Sequence, residues 1–262
     1  MQRRSFMALA GSSVVCGCGA VHQLPVVSDG NIAMAQAEVR TALPPQRRWV
    51  SDDEAAQTLR TAIQLVRMPA INLCHQMNVG VCDWKFRMSR SRDLNAGAMG
   101  YGQIVLNRGI VEYANNEEEV CLVVAHEIGH HAANHIARGT ASRMIGALIG
   151  VAVVGVVAVA TGSNPGQDVV ESASQLGAAI GGLAYSKEQE READYMAALI
   201  LYRAGIDLDK ARGLLVTMAS GSGRMETTFL DTHPAGPERV AAWDRAAAEI
   251  RGSGGRLPPR AS

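Results

Sequence analysis

Residues 119–135 read EVCLVVAHEIGHHAANH. At their centre His126-Glu127-Ile128-Gly129-His130 is an HExxH pattern. Glu117, Glu118 and Glu119 suit the first turn of a helix that starts near Asn116. The apolar run from Val120 carries that helix on, and the pattern predicts one amphipathic helix reaching about Arg138. Four residues advance a helix by just over one turn, so His126 and His130 leave the same face and can share one metal ion. Glu127 lies beside them, placed to reach a water rather than the metal. Such an ion needs a third protein ligand and one open position. His131 and His135 also stand four apart, but about 100° around the helix from the first pair. With no adjacent Glu, they read as packing or surface histidines.

Elimination narrows the search for the third ligand. A third His six residues after His130, preceded by Gly, is excluded because Ala133 and Ile136 occupy those positions. A Glu some 20 residues downstream is excluded because no acidic residue occurs between Glu127 and Asp168. The next acidic cluster is Glu188-Gln189-Glu190-Arg191-Glu192-Ala193-Asp194. Glu190 and Asp194 are four apart on one helical face. One can bind the ion while the other orients a ligand imidazole.

Outward from this centre, Ser51 to Glu54 start a helix by a capping-box pattern. Residues 83–91 alternate as a strand, and 94–107 carry three glycines and end in the strand-like Gln103 to Leu106. A charged helix begins near Lys187 and runs to about Ala204. A last helix spans Pro237 to about Ile250. Residues 144–167 contain no charge, and a second uncharged run covers 172–186. One membrane crossing there would put His130 and Glu190 on opposite sides. The insertion at 144–186 therefore reads as a small-residue helical hairpin that packs over the site or dips into a lipid surface, with a two-pass membrane hairpin as the alternative.

At the N-terminus, Arg3-Arg4 precede the short apolar stretch from Phe6 to Val15, which is too short to span a bilayer and reads as an export signal. It resembles a twin-arginine signal. Val15-Cys16-Gly17-Cys18 resembles a lipobox, with lipidation at Cys18. The expected organisation is a signal at 1–17, a lipidated tether at 18–47, one domain at 48–251 and a loose tail at 252–262. The destination is the bacterial periplasm, anchored to the inner or outer membrane. An oxidising compartment permits a Cys74–Cys82 disulfide.

Of the 262 residues, 47% are hydrophobic and 19% charged, enough for a sizeable core. Net charge is zero and aromatics are only 4%, which argues against a nucleic-acid partner.

The residues resemble metallopeptidase family forty-eight, which includes HtpX-like, CAAX prenyl protease-like and periplasmic BepA-like enzymes. The resemblance covers about 50–250 and rests on several stretches. They are Asn95-Ala96 with Gly100-Tyr101-Gly102, the run 119–135, Tyr185-Ser186 before Glu190-x-Glu192-Ala193-Asp194, and His233-Pro234 before Arg239-Val240. It implies an α+β, mainly α-helical zincin (gluzincin-like) with a small β-sheet and HExxH on a central helix. It implies one Zn2+ per chain on His126, His130 and Glu190, with Asp194 behind them. It also implies a substrate-pairing edge strand at Gln103, Ile104 and Val105, and a His233 that approaches the zinc as a reversible fourth ligand or donates to the oxyanion. The implied chemistry is peptide hydrolysis, with Glu127 taking a proton from water and passing it to the leaving amine. The implied substrates are misfolded or stalled cell-envelope proteins. A chaperone or adaptor using the same groove without proteolysis is the alternative. The residues do not specify the oligomeric state.

Overall fold

The computed structural model describes residues 20–43, 46–78, 82–139, 185–221 and 233–261, with 166, 167, 169 and 171 besides. The export signal, Cys18 and nearly all of the apolar insertion lie outside the described residues. Among the described residues no helix is long and apolar enough to cross a membrane.

Seven helices and three strands are described. They run α1 (Asp29–Thr41), α2 (Asp52–Met77), β1 (Lys85–Ser89), β2 (Ala96–Met99), β3 (Gln103–Asn107), α3 (Gly109–Tyr113), α4 (Glu117–Ala132), α5 (Lys187–Arg203), α6 (Leu208–Gly221) and α7 (Pro237–Ser253). The expected mainly helical α+β architecture with a small sheet is what the chain adopts.

The HExxH helix α4 is central. It packs against α2, α5, α6 and β2, and every residue from Glu119 to Ala132 is buried. Its polar side chains, Glu119, His126, Glu127, His130 and His131, are buried along with the apolar ones, which corrects the expectation of an amphipathic helix with one solvated face. Its start is as expected: the Asn116 side chain accepts the Glu119 N–H. Its end is not. The helix stops at Ala132, and Asn134 turns left-handed at φ 58°, a conformation that Asn tolerates. Helical geometry resumes at His135.

Helix α5 begins in a capping box between Ser186 and Gln189. It lies very close to α4. A Cβ on Gly129 would come within 2.7 Å of the Ala193 carbonyl oxygen, so only glycine permits this approach. The contact sets the HExxH face against Glu190 and Asp194.

The sheet order is β1-β3-β2, with β1 parallel and β2 antiparallel to β3. Strand β3 is therefore central, and both of its backbone edges are already paired. Gln103, Ile104 and Val105 cannot take up a substrate strand, contrary to the expectation for them. Among the described residues, the unpaired edge on the α4 side belongs to β2.

The stretch expected to be a tether is folded from residue 20 onward. Ser28 and Asn31 form a capping box that starts α1, which packs against α6 and α7. Arg212 of α6 forks across both oxygens of Glu38 on α1 at 2.6 and 2.7 Å. The expected loose tail is docked too: Gln23 N–H donates to Pro259 O at 2.9 Å and Ala261 N–H to Val21 O at 2.8 Å. Cys74 and Cys82 are joined in a disulfide, and Cys121 is buried and unbonded.

Candidate metal centre

Four buried side chains from three parts of the chain converge: His126 and His130 on α4, Glu190 on α5, and His233 before α7. One ligand atom from each lies within 4.8 Å of all the others. His126 Nε2 stands 3.0 Å from His130 Nε2 and 3.2 Å from His233 Nδ1. Glu190 oxygens stand 3.4 Å from His126 Nε2, 3.3 Å from His130 Nε2 and 3.0 Å from His233 Nδ1. The structure thus brings all three expected ligands together, with His233 at a fourth vertex.

The two imidazoles on α4 are held from behind. Asp194 Oδ1 accepts from His126 Nδ1 at 2.9 Å, leaving the Nε2 lone pair for a metal. Behind His130 the partner is His135, whose Nδ1 lies 2.9 Å from His130 Nδ1. His135 Nε2 in turn reaches Glu192 Oε2 at 3.1 Å. With the carboxylate as acceptor, His135 carries its proton on Nε2, accepts from His130 Nδ1–H, and turns the His130 Nε2 lone pair to the centre. Tyr185 stacks on the His130 ring with centroids 3.7 Å apart.

Arg239 closes the arrangement. Its Nε and Nη2 donate to the two oxygens of Asp194, both at 2.8 Å, and its Nη1 lies 2.8 Å from Glu190 Oε2. Burial pushes the Glu190 carboxyl up, but Arg239, His233 and His126 outweigh it and hold it well below the usual carboxylate range. The same balance of burial against Arg239 and His126 lowers Asp194. Burial pulls the His126 pKa down, but Glu190 and Asp194 raise it to about 10. The pocket therefore favours positive charge at this point. Burial, together with the neighbouring His126 and His135, holds His130 well below its ordinary value despite Glu190.

Glu127 is fully buried, and among the described residues neither of its carboxyl oxygens has a hydrogen-bond partner. His233 Nε2 lies 3.7 Å from its Oε1. Three buried carboxyl groups (Glu127, Glu190 and Asp194) thus share one guanidinium. With the three ionised and the imidazoles neutral, as metal ligands must be, the net charge is −2, which one divalent cation offsets. The residues present fit a metal ion.

Sequence reasoning left Arg239, His135 and Glu192 without roles. Arg239 stood among the quoted motifs. His135 reaches its partner only because the helix breaks at Asn134, so a continuous helix put it on the wrong face. His131 does pack, as expected, and its Nε2–H donates to Gln103 O at 3.2 Å, tying α4 to β3.

The profile of Peptidase family M48 matches residues 62–247. The mitochondrial metalloendopeptidase OMA1 of Arabidopsis thaliana is 28% identical over 156 residues, which are 60% of this chain and 30% of that protein. The metalloprotease LoiP of Escherichia coli is 25% identical over 243 residues, 91% of this chain and 94% of LoiP. The beta-barrel assembly-enhancing protease of Escherichia coli is 27% identical over 186 residues, 68% of this chain. The chain spans 30% of the length of OMA1 and 37% of the assembly-enhancing protease.

Proposed function

The chain belongs to peptidase family M48, and from that membership we propose that it is a zinc-dependent endopeptidase acting on unfolded or misassembled proteins of the bacterial cell envelope. The observation that carries this reading is the gathering of His126, His130, Glu190 and His233 within 4.8 Å, beside a Glu127 whose buried oxygens have no hydrogen-bond partner among the described residues. Imidazole nitrogens with one carboxylate suit zinc. Ligand atoms of a tetrahedral zinc site with bonds of about 2.0–2.1 Å stand about 3.3–3.4 Å apart, and the separations between His126, His130 and Glu190 are 3.0, 3.3 and 3.4 Å.

Zinc bound there supplies Lewis acidity, polarising the scissile carbonyl and making a water acidic enough to attack near neutral pH. Glu127 takes the proton of the attacking water and delivers it to the leaving amine. Asp194 and His135 fix the two imidazoles, while Arg239 keeps Glu190 ionised and in place. His233, the fourth member of the cluster, would help hold the ion in the resting enzyme and keep it latent until substrate takes its place.

An extended substrate pairs with the edge of β2 that is unpaired among the described residues. Asn107 N–H donates to Asn95 O at 3.1 Å, and opposite residues of an antiparallel pair alternate between bonded and non-bonded. With Ala96 opposite Leu106 and Ala98 opposite Ile104, the N–H and C=O groups of Ala96 and Ala98 face outward.

Placement outside the cytoplasm is supported by the Cys74–Cys82 disulfide and by the signal-like residues 1–17. Cys18 carries the lipid anchor. The substrate class follows one relative's name, a protease that enhances β-barrel assembly.

The test measures zinc content and casein degradation for the chain from residue 19, beside Glu127→Gln and His233→Ala. The expected result is one zinc per chain in all three. Cleavage should be lost in Glu127→Gln and raised in His233→Ala. Zinc without cleavage of casein or an unfolded envelope protein would favour a chaperone or adaptor. A wild type without zinc would end the metallopeptidase reading.

A further inference from the structure

The side chain of Glu192 is fully enclosed, yet no Lys or Arg pairs with it among the described residues. Its charge is met by hydrogen bonds alone. Val21 N–H donates to both oxygens at 2.9 and 2.8 Å. His22 N–H and His22 Nδ1 reach Oε1 at 2.9 and 2.7 Å, and His135 Nε2 reaches Oε2 at 3.1 Å. Three of the four donor groups come from two consecutive residues near the chain's beginning. Those residues are fixed by the other end of the chain, through the bridge between His22 and Arg260 and the Arg260 guanidinium on Met77 O at 2.8 Å.

On its other side Glu192 leads inward. It orients His135, and His135 Nδ1 meets His130 Nδ1. We infer that Val21 and His22 are positioning residues for the metal ligand His130, acting through Glu192 and His135, so that the joined chain ends set the affinity of the centre for its metal. This rests on the metal-centre reading above. Without Val21 and His22, Glu192 keeps only His135 as a donor among the described residues. A buried carboxylate so deprived turns to find other donors. His135 then loses the acceptor that fixes its tautomer, and His130 loses its orientation. An outer partner of this kind, removed from a metal-binding histidine, costs about 10- to 100-fold in metal affinity.

The experiment is zinc competition against a chelator, with the chain from residue 19. Glu192→Gln should weaken zinc about 10- to 100-fold, because its amide N–H₂ opposes His135 Nε2–H. His22→Leu should weaken zinc by about tenfold, and His22→Asn, whose amide replaces the Nδ1 donor, should recover most of the loss. The double variant His22→Leu/Glu192→Gln should bind no more weakly than Glu192→Gln alone. Tyr195→Phe breaks the bond from Tyr195 to Glu249 at 2.9 Å, which joins none of these groups, and should lower the melting temperature without moving zinc affinity. Should His22→Leu fail to fold, Val21→Pro removes the Val21 N–H and is read in the same way. Zinc binding by His22→Leu within twofold of wild type, or losses that multiply in the double variant, would overturn the inference. A wild type that binds no zinc would instead overturn the metal-centre reading beneath it.

Discussion

Arg239 joins the two carboxylates that define the centre, using both oxygens of Asp194 and one of Glu190. A lysine ammonium carries the same charge but cannot fork across Asp194 while reaching Glu190. Arg239→Lys should therefore weaken zinc about 10- to 100-fold in chelator competition. Affinity within twofold of wild type would show that charge alone suffices. Glu112 makes the opposite arrangement, one buried carboxylate among three guanidiniums. It accepts from Arg47 at 2.6 Å, Arg92 at 3.0 Å and Arg108 at 2.9 Å. Burial pushes its pKa up, but the arginines outweigh it and hold it below its ordinary 4.5. A depressed folded value means that the stabilisation is complete above the unfolded pKa and is lost as pH falls through the folded one. Urea midpoints of wild type and Glu112→Gln should thus differ by a constant gap from pH 7 to about 5, and the gap should close at lower pH. A gap that widens on acidification would reverse the sign. At this scale the clustering of His126, His130 and Glu190 was legible because HExxH ties spacing to chemistry and calls for a third, acidic partner. Arg239 was not, because its partners lie on another helix, 45 and 49 positions away.

Helix α4 shows how an element can be read correctly at one end and not at the other. Local chemistry governs its start, through Asn116 and three glutamates. Its stop lacks glycine and proline, and Asn134 turns the chain instead. That turn puts His135 against His130. The sheet is less legible for a similar reason. A strand is recognised by its own residues, but its place in the sheet depends on its neighbours. β3 has the strong apolar pattern, with Ile104 and Leu106 fully buried, because it is flanked on both sides. The weaker β2, Ala96–Met99, lies at an edge, as β1 does on the other side. Substrate pairing there predicts that Ala98→Pro, which removes an outward N–H from an edge strand that can tolerate proline, raises the KM for an extended peptide. A several-fold rise in KM with unchanged thermal unfolding would support pairing at β2. Unchanged KM in a folded variant would move the substrate elsewhere.

For the whole molecule, composition and tail-like residues suggested a domain beginning near residue 48, and nothing local contradicts that boundary. What contradicts it is long-range: a segment rich in Ala and Val folds because α6 and α7 offer it a surface. Ala35 is buried within that contact. Glu38 is gripped by Arg212, which also holds Asp244 on α7 at 2.5 and 2.9 Å. The bonds from Arg212 hold the Glu38 carboxyl below its ordinary range. This partly exposed cluster alone contributes about 1 kcal/mol or less, so the larger effect of removing residues 20–43 is to bare the apolar faces of α6 and α7. A chain beginning at residue 48 should therefore melt several degrees lower or aggregate, since in a domain of this size each kcal/mol shifts the midpoint by about 2–4 °C. It should also bind zinc more weakly, because Val21 and His22 go with the segment. Scanning calorimetry and chelator competition on the shortened chain read the two effects separately. A loose tether would leave both unchanged. Loss of thermal stability with intact zinc affinity would keep α1 as a structural part of the domain while severing the chain's first residues from the metal.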